Sequence, residues 1–245
     1  MTGSSRADGA AAAPSLLVKI CGITTEEDAL LAIGLGADAV GFVFAPSPRQ
    51  MTAQAVRQIV DRLPRGVLTV GVFRDQAPVT VVETVNRVGL DAAQLHGAES
   101  ADDTRWIAER VPMVIRGLPV GHPEIGEALG YGAQLVLVDA RSPGSGEVFD
   151  WTLAEGVVDP GRLIVAGGLH SGNVAAAIAH LRPRGVDVSS GVESAPGRKD
   201  PVRLAAFIAA ARAASDALAS DGAGIPDAEL ARRCDRGPFD WRTDA

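Results

Sequence analysis

A single-domain α/β fold, a closed (β/α)8 barrel of the TIM type, is what this sequence predicts, and three observations predict it. From Leu16 onward, apolar runs of strand character alternate with amphipathic helical patterns at intervals of roughly 25 residues. Strands that alternate with helices pair in parallel through right-handed crossovers. Eight such units fit within 245 residues, which suits a closed barrel better than an open sheet. The barrel is expected over residues 15–214, preceded by a disordered leader over residues 1–14 and followed by an extra C-terminal tail over residues 215–245.

In chain order the strand candidates are Leu16–Cys21, Ala39–Phe44, Val67–Phe73, Ala92–His96, Val111–Arg116, Gln134–Asp139, Arg162–Ala166 and Val186–Ser190. The helical candidates between and after them are Glu26–Ile33, Ala53–Leu63, Val79–Val88, Ala101–Glu109, Glu124–Leu129, Trp151–Val157, Asn173–Leu181 and Val202–Ala214. Gly22 permits a tight departure from the first strand, and Thr24 with Glu27 reads as a capping box for the first helix. Asp150, Ser171 and Asp200 are placed to cap the sixth, seventh and eighth helices, with Pro201 in the first turn of the eighth. Beyond Ala214, Pro226–Arg233 reads as one more short helix, and Phe239 and Trp241 as anchors for the tail on the outside of the barrel.

Composition narrows the partners. The apolar fraction of 47% is ample for a core, and a net charge of −7 without a basic cluster argues against DNA or RNA. Residues 1–14 lack the continuous apolar stretch of a signal peptide, and no apolar run reaches the about eighteen residues of a membrane span. Cys21 and Cys234 are too far apart for a metal spacing or a disulfide framework, so a reducing, cytoplasmic setting is expected. Neither a metal nor a cofactor is indicated. His96, His122, His170 and His180 form no ligand pattern, and no GxGxxG follows a strand. The expected partner is a small phosphorylated molecule, bound by a monomer or homodimer.

The active site of such a barrel lies at the carboxyl ends of its strands, and there the polar residues gather. Lys19 and Cys21 are two apart in the first strand and project from one face, about 7 Å apart along it. A lone cysteine is more often a small buried hydrophobe, but a cation beside it favours the thiolate and lowers its pKa toward a useful base. Asp139 shares the parity of Leu135 and Leu137; it reads equally as a proton donor or acceptor and as a loop-capping carboxylate. Arg49, in Ser47-Pro48-Arg49 after the second strand, suits a carboxylate through its planar fork, against the alternative of a solvated surface arginine. The fourth strand ends Gln94-Leu95-His96-Gly97, with His96 either a ligand or proton carrier or a satisfied strand-end histidine, and the fifth ends at Arg116. Gly167-Gly168 and Ser190-Gly191 follow the seventh and eighth strands, where glycines let backbone N–H groups approach an anion and barrels hold phosphate.

In that order these residues resemble one family. Lys19-Ile20-Cys21-Gly22-Ile23-Thr24, Gly41-Phe42-Val43-Phe44 with Ser47-Pro48-Arg49, Val70-Gly71-Val72-Phe73, Gln94-Leu95-His96-Gly97, Gly167-Gly168-Leu169 and Asp187-Val188-Ser189-Ser190-Gly191-Val192-Glu193 are similar to the motifs of phosphoribosylanthranilate isomerase. So are Gly144-Ser145-Gly146 with Phe149-Asp150-Trp151, Asn173-Val174, Pro196-Gly197 and Lys199-Asp200. The resemblance runs from about Leu17 to about Arg212. It implies an Amadori rearrangement of N-(5-phosphoribosyl)anthranilate without metal or cofactor. It also implies roles: Cys21 as general base, Asp139 as general acid, Arg49 on the anthranilate carboxylate, and the phosphate against Gly167, Gly168, Ser190 and Gly191; Lys19, Gln94 and His96 are expected, with Arg49, to bind the substrate. Chemistry then requires a neutral Asp139 and an ionised Cys21 together.

Departures from the family pattern are a two-residue segment, Ala45-Pro46, one shorter than usual before Ser47, Pro143 in place of glycine, and the tail. Competing readings are another phosphosugar isomerase and a non-catalytic barrel that binds a phosphorylated metabolite. An epimerase would want metal-binding histidines at the strand ends, and the dual-substrate isomerases an aspartate at the end of the first strand.

Overall fold

Eight parallel strands close on themselves in a computed structural model that describes residues 16–140 and 150–220. They are β1 (Leu17–Cys21), β2 (Ala39–Val43), β3 (Leu68–Phe73), β4 (Ala92–Leu95), β5 (Val114–Pro119), β6 (Leu135–Asp139), β7 (Leu163–Val165) and β8 (Gly185–Val188). Strand β8 pairs with β1 and seals the barrel, with Lys19 in register with Asp187. Around it stand α1 (Glu26–Gly34), α2 (Ala53–Val60), α3 (Pro78–Val88), α4 (Ala101–Ala108), α5 (Val174–Leu181) and α6 (Pro201–Ser220). A small antiparallel hairpin, β9 (Glu193–Ala195) and β10 (Arg198–Lys199), lies between β8 and α6. The leader, the segment with Pro143 and Gly144, and the stretch carrying Pro226, Cys234, Phe239 and Trp241 lie outside the described residues.

Alternation along each strand divides the core in two. Val70, Ala92, Ile115, Leu135, Leu137 and Ile164 form one cluster inside the barrel, against which Leu17 packs. Val18, Ile20, Val40, Phe42, Val136 and Val138 belong to the larger cluster between strands and helices. Burying each such side chain contributes about 1.5–3 kcal/mol, so both faces stay apolar until the strands reach the mouth. The inward parity of Leu17 continues to Lys19 and Cys21, and that of Leu135 and Leu137 to Asp139.

Several local expectations change. The fifth strand begins at Val114 rather than Val111, because Val111 N–H still bonds back to Ile107 and Pro112 has no N–H to give a ladder. Arg116 therefore sits inside β5 on the outward parity, pointing away from the barrel interior. The segments after β5 and β6 form short 3-10 turns, Pro123–Gly126 with Ala128–Tyr131 and Trp151–Ala154, instead of α-helices. Glycines at 126, 130 and 132 and a proline at 123 in so short a span leave too little helix propensity. Thr25, not Thr24, caps α1 by accepting from Asp28 N–H, and the Thr24 hydroxyl donates instead to the Gly197 carbonyl. Asn173, not Ser171, occupies the cap of α5; its amide spans the turn, accepting from His170 N–H and donating to the Gly168 carbonyl. Asp150 and Asp200 take their expected capping bonds, and α6 continues six residues past Ala214 to Ser220.

Candidate active site at the carboxyl ends of the strands

Lys19 and Cys21 do share the inner face of β1. Gly41, in register with Cys21 on β2, makes the room: a Cβ there would stand 3.1 Å from both the Cys21 Sγ and the Lys19 Nζ. Lys19 is fully buried and donates to Asp187 Oδ1 at 2.9 Å. Burial pulls the Lys19 ammonium down, but Asp187 and then Cys21 outweigh it, so its pKa stands above the usual lysine value.

The thiol behaves otherwise than the sequence suggests. Burial pushes Cys21 up, Lys19 opposes this, Asp187 reinforces it and Lys199 opposes it again, and the balance remains above the ordinary thiol value. Lys19 alone thus does not bring the thiol below its ordinary value, because desolvation of the buried thiol is the larger effect.

Across the mouth, Asp139 ends β6 with its Oδ1 accepting from Ala140 N–H at 2.7 Å and its Oδ2 3.4 Å from His96 Nε2. His96 lies against β5, where a Cβ on Gly117 would overlap its Nδ1. Gln94 Nε2 donates to that Nδ1 at 3.0 Å, which puts the ring hydrogen on Nε2, aimed at Asp139. The buried Gln94 Oε1 has no partner among the described residues. His96 therefore has a partner at each ring nitrogen, bridging Gln94 and Asp139.

A concave pocket lies beside Asp139, walled by Gly167, Gly168, Asp187, Ser190 and Gly191. Both glycine pairs reach it. Gly167 has φ of 80°, and a Cβ on it would stand 2.8 Å from Asp139 Oδ1, so glycine there brings the backbone against the carboxylate. Asp187 faces the pocket and also pairs with Lys19, linking this half of the mouth to Cys21.

Arg49 is not a solvated arginine. Its Nε donates to Glu193 Oε1 at 2.8 Å and its Nη2 to Glu193 Oε2 at 2.6 Å. Lys199 Nζ also donates to Glu193 Oε1, at 2.9 Å, and to the Cys21 carbonyl at 2.6 Å. Burial pushes Glu193 up, but its bonds to Arg49 and Lys199 outweigh that and hold it below the usual carboxylate value; burial pulls Lys199 below the usual lysine value. Arg116 serves elsewhere: buried on the outer face, it bonds Glu99 at 2.8 Å and the Leu95 and Gly97 carbonyls, fixing the turn that carries His96. Sequence reasoning assigned no role to Asp187, Glu193 or Lys199. The available signals were an aspartate inside an apolar strand and an acidic and a basic residue six apart flanking Pro196-Gly197. Among the described residues no cluster of His, Cys, Asp and Glu suits a metal ion.

Comparison with known proteins follows the same lines. Residues 18–210 match the family model of N-(5'-phosphoribosyl)anthranilate (PRA) isomerase. The N-(5'-phosphoribosyl)anthranilate isomerase of Desulforudis audaxviator is 47% identical over 205 residues, covering 81% of this chain and 98% of that protein. The crystal structure of phosphoribosyl anthranilate isomerase from Thermus thermophilus superposes with a TM-score of 0.74 at 43% identity, over 80% of this chain and 98% of that one. A phosphoribosyl anthranilate isomerase solved with reduced 1-(o-carboxyphenylamino)-1-deoxyribulose 5-phosphate gives 0.72 at 41% identity, over 81% of this chain and 99% of that one. With barrel, family model and relatives in agreement, the chain belongs to the N-(5'-phosphoribosyl)anthranilate isomerase family.

Proposed function

We infer that the chain isomerises N-(5-phosphoribosyl)anthranilate to 1-(2-carboxyphenylamino)-1-deoxyribulose 5-phosphate, an aldose-to-ketose step of tryptophan biosynthesis. One observation carries the assignment of the site. A single pocket joins Asp139 to both glycine pairs, and its Asp187 wall is ion-paired to the lysine beside Cys21. The phosphate fits the backbone at Gly167, Gly168, Ser190 and Gly191, and the anthranilate end extends toward Arg49.

The reaction needs one acid and one base. Asp139 gives a proton to the furanose ring oxygen as the C–O bond breaks and the nitrogen lone pair forms an iminium. His96, held by Gln94, keeps Asp139 Oδ2 aimed inward. The iminium acidifies the C2 proton, and Cys21 removes it to give an enolamine that tautomerises to the ketone. The raised thiol fits this order, because the iminium adds a positive charge to those of Lys19 and Lys199, all of which favour thiolate. We also place the enzyme in the cytoplasm; among the described residues no helix is long and apolar enough to cross a membrane.

The test is loss of anthranilate-type fluorescence when purified protein meets freshly made phosphoribosylanthranilate. A rate no greater than the uncatalysed one refutes the reading. Cys21→Ala and Asp139→Asn are each expected to lose about 10²–10⁴-fold in turnover while still binding a product analogue; near-normal turnover by either overturns its assigned role.

A further inference from the structure

The most heavily engaged carboxylate at the mouth belongs to none of the groups just assigned. Glu193 is 5% exposed and accepts three charge-assisted hydrogen bonds, two from Arg49 and one from Lys199. It is the first residue of the β9–β10 hairpin, and that hairpin is fastened down on several sides. Lys199 N–H donates to Asp28 Oδ2 at 3.2 Å, Arg203 donates to the Glu193 carbonyl at 2.6 Å, and the Gly197 carbonyl accepts from Thr24. Gly197 itself lies against the arginine loop, where an added Cβ would meet the Pro48 carbonyl at 3.3 Å. A continuous chain of short contacts therefore runs from the Cys21 carbonyl through Lys199 and Glu193 to the Arg49 guanidinium.

The geometry of that last contact matters most. Glu193 takes the Nε edge of the guanidinium together with one hydrogen of Nη2. The edge formed by Nη1 and the second hydrogen of Nη2 is the other fork of the same rigid plane, matched to a second carboxylate. A guanidinium held by one edge loses little further freedom when it binds through the other, so the cost of ordering a flexible arginine is met by the fold before the ligand arrives.

We propose that Glu193, braced by Lys199, is a positioning residue that presents Arg49 to the carboxylate of the aromatic amine and so sets the preference of the site for carboxylated substrates. The inference rests on the isomerase reading and deepens it. It gives the β9–β10 hairpin a role in recognition and ties that recognition to the strand end that bears the base.

The experiment uses the full chain and two ligands: the reduced carboxyphenylamino product analogue and its phenylamino counterpart without the carboxylate. Glu193→Ala is expected to weaken the carboxylated analogue about tenfold and leave the other within about twofold, with KM rising about tenfold and kcat changing less than about threefold. In an Arg49→Ala background, Glu193→Ala is expected to add nothing further. Should Glu193→Ala fail to fold, Glu193→Gln carries the same comparison, since its amide oxygen still accepts one bond while the ionic pairing is gone. Equal weakening of both ligands, or a full additional loss without Arg49, overturns the proposal and leaves Glu193 a structural residue. Wild-type protein that turns over no substrate and does not distinguish the two ligands overturns the isomerase reading instead, and this inference with it.

Discussion

Deleting the Lys19 ammonium separates the two things that residue does. Its Nζ stands 2.9 Å from Asp187 Oδ1, with side chains 0% and 9% exposed. Lys19→Met keeps a similar stem and leaves the Asp187 carboxylate buried without its cation, a change that costs about 3–5 kcal/mol in comparable pairs. For a chain of this size each kcal/mol lowers the melting midpoint by about 2–4 °C, so a fall of at least about 6 °C is expected. Lys19→Met with Asp187→Leu removes both charges and fills the space with methylenes, which restores most of the stability. The thiol responds differently. Lys19 is the strongest influence holding Cys21 down and Asp187 pushes it up, so the single change slows alkylation of Cys21 at fixed pH and the double change restores only part of the rate. Calorimetry and iodoacetamide alkylation, both in a Cys234→Ser background, read the two effects. A midpoint within about 2 °C of wild type, or an unchanged alkylation rate in Lys19→Met, refutes the reasoning.

Gly117→Ala places a methyl group on His96 Nδ1, displacing the ring from Asp139; turnover should fall by about 10²-fold with the fold retained, measured by the fluorescence assay alongside circular dichroism. The folded-state pKa of Glu193 is lowered from 4.5, so its contribution to stability is present above that pH and disappears as pH falls through the folded value; in urea titrations Glu193→Gln should flatten this acid limb relative to wild type. Cys21 is raised from 9.0, so its contribution is present below that pH and is lost as pH rises through the folded value; Cys21→Ala should therefore show a shallower alkaline loss.

The barrel was legible because its signals are collective. Eight apolar runs spaced by helical patterns survive errors of two or three residues at their edges, as the shift of β5 from Val111 to Val114 shows. Parity carried the site equally well: once Leu135 and Leu137 face inward, Asp139 must follow, and Lys19 fixes the direction of Cys21. What the sequence left hidden depends on contacts distant along the chain. Asp187 meets Lys19 across 168 residues and Glu193 meets Arg49 across 144, and no periodicity links such positions. The sign of the Cys21 shift was hidden for a related reason. A neighbouring lysine is visible as spacing, whereas the depth of burial that outweighs it exists only after β8 closes against β1.

That depth also orders the chemistry. Lys19, Lys199 and Arg49 stand against Asp187 and Glu193, so these five groups around the thiol together carry one positive charge in excess. A thiolate would neutralise that excess, as would a substrate carboxylate bound on Arg49 in the proposed complex. With Arg49 so occupied, ionising Cys21 adds net negative charge to a buried site, which desolvation opposes. In the proposed mechanism, ring opening shifts the balance, because the iminium restores a positive charge beside the thiol. In the proposed mechanism, proton donation by Asp139 then precedes proton removal by Cys21. On the proposed reading, a thiol held up by desolvation ionises more readily once the iminium stands beside it.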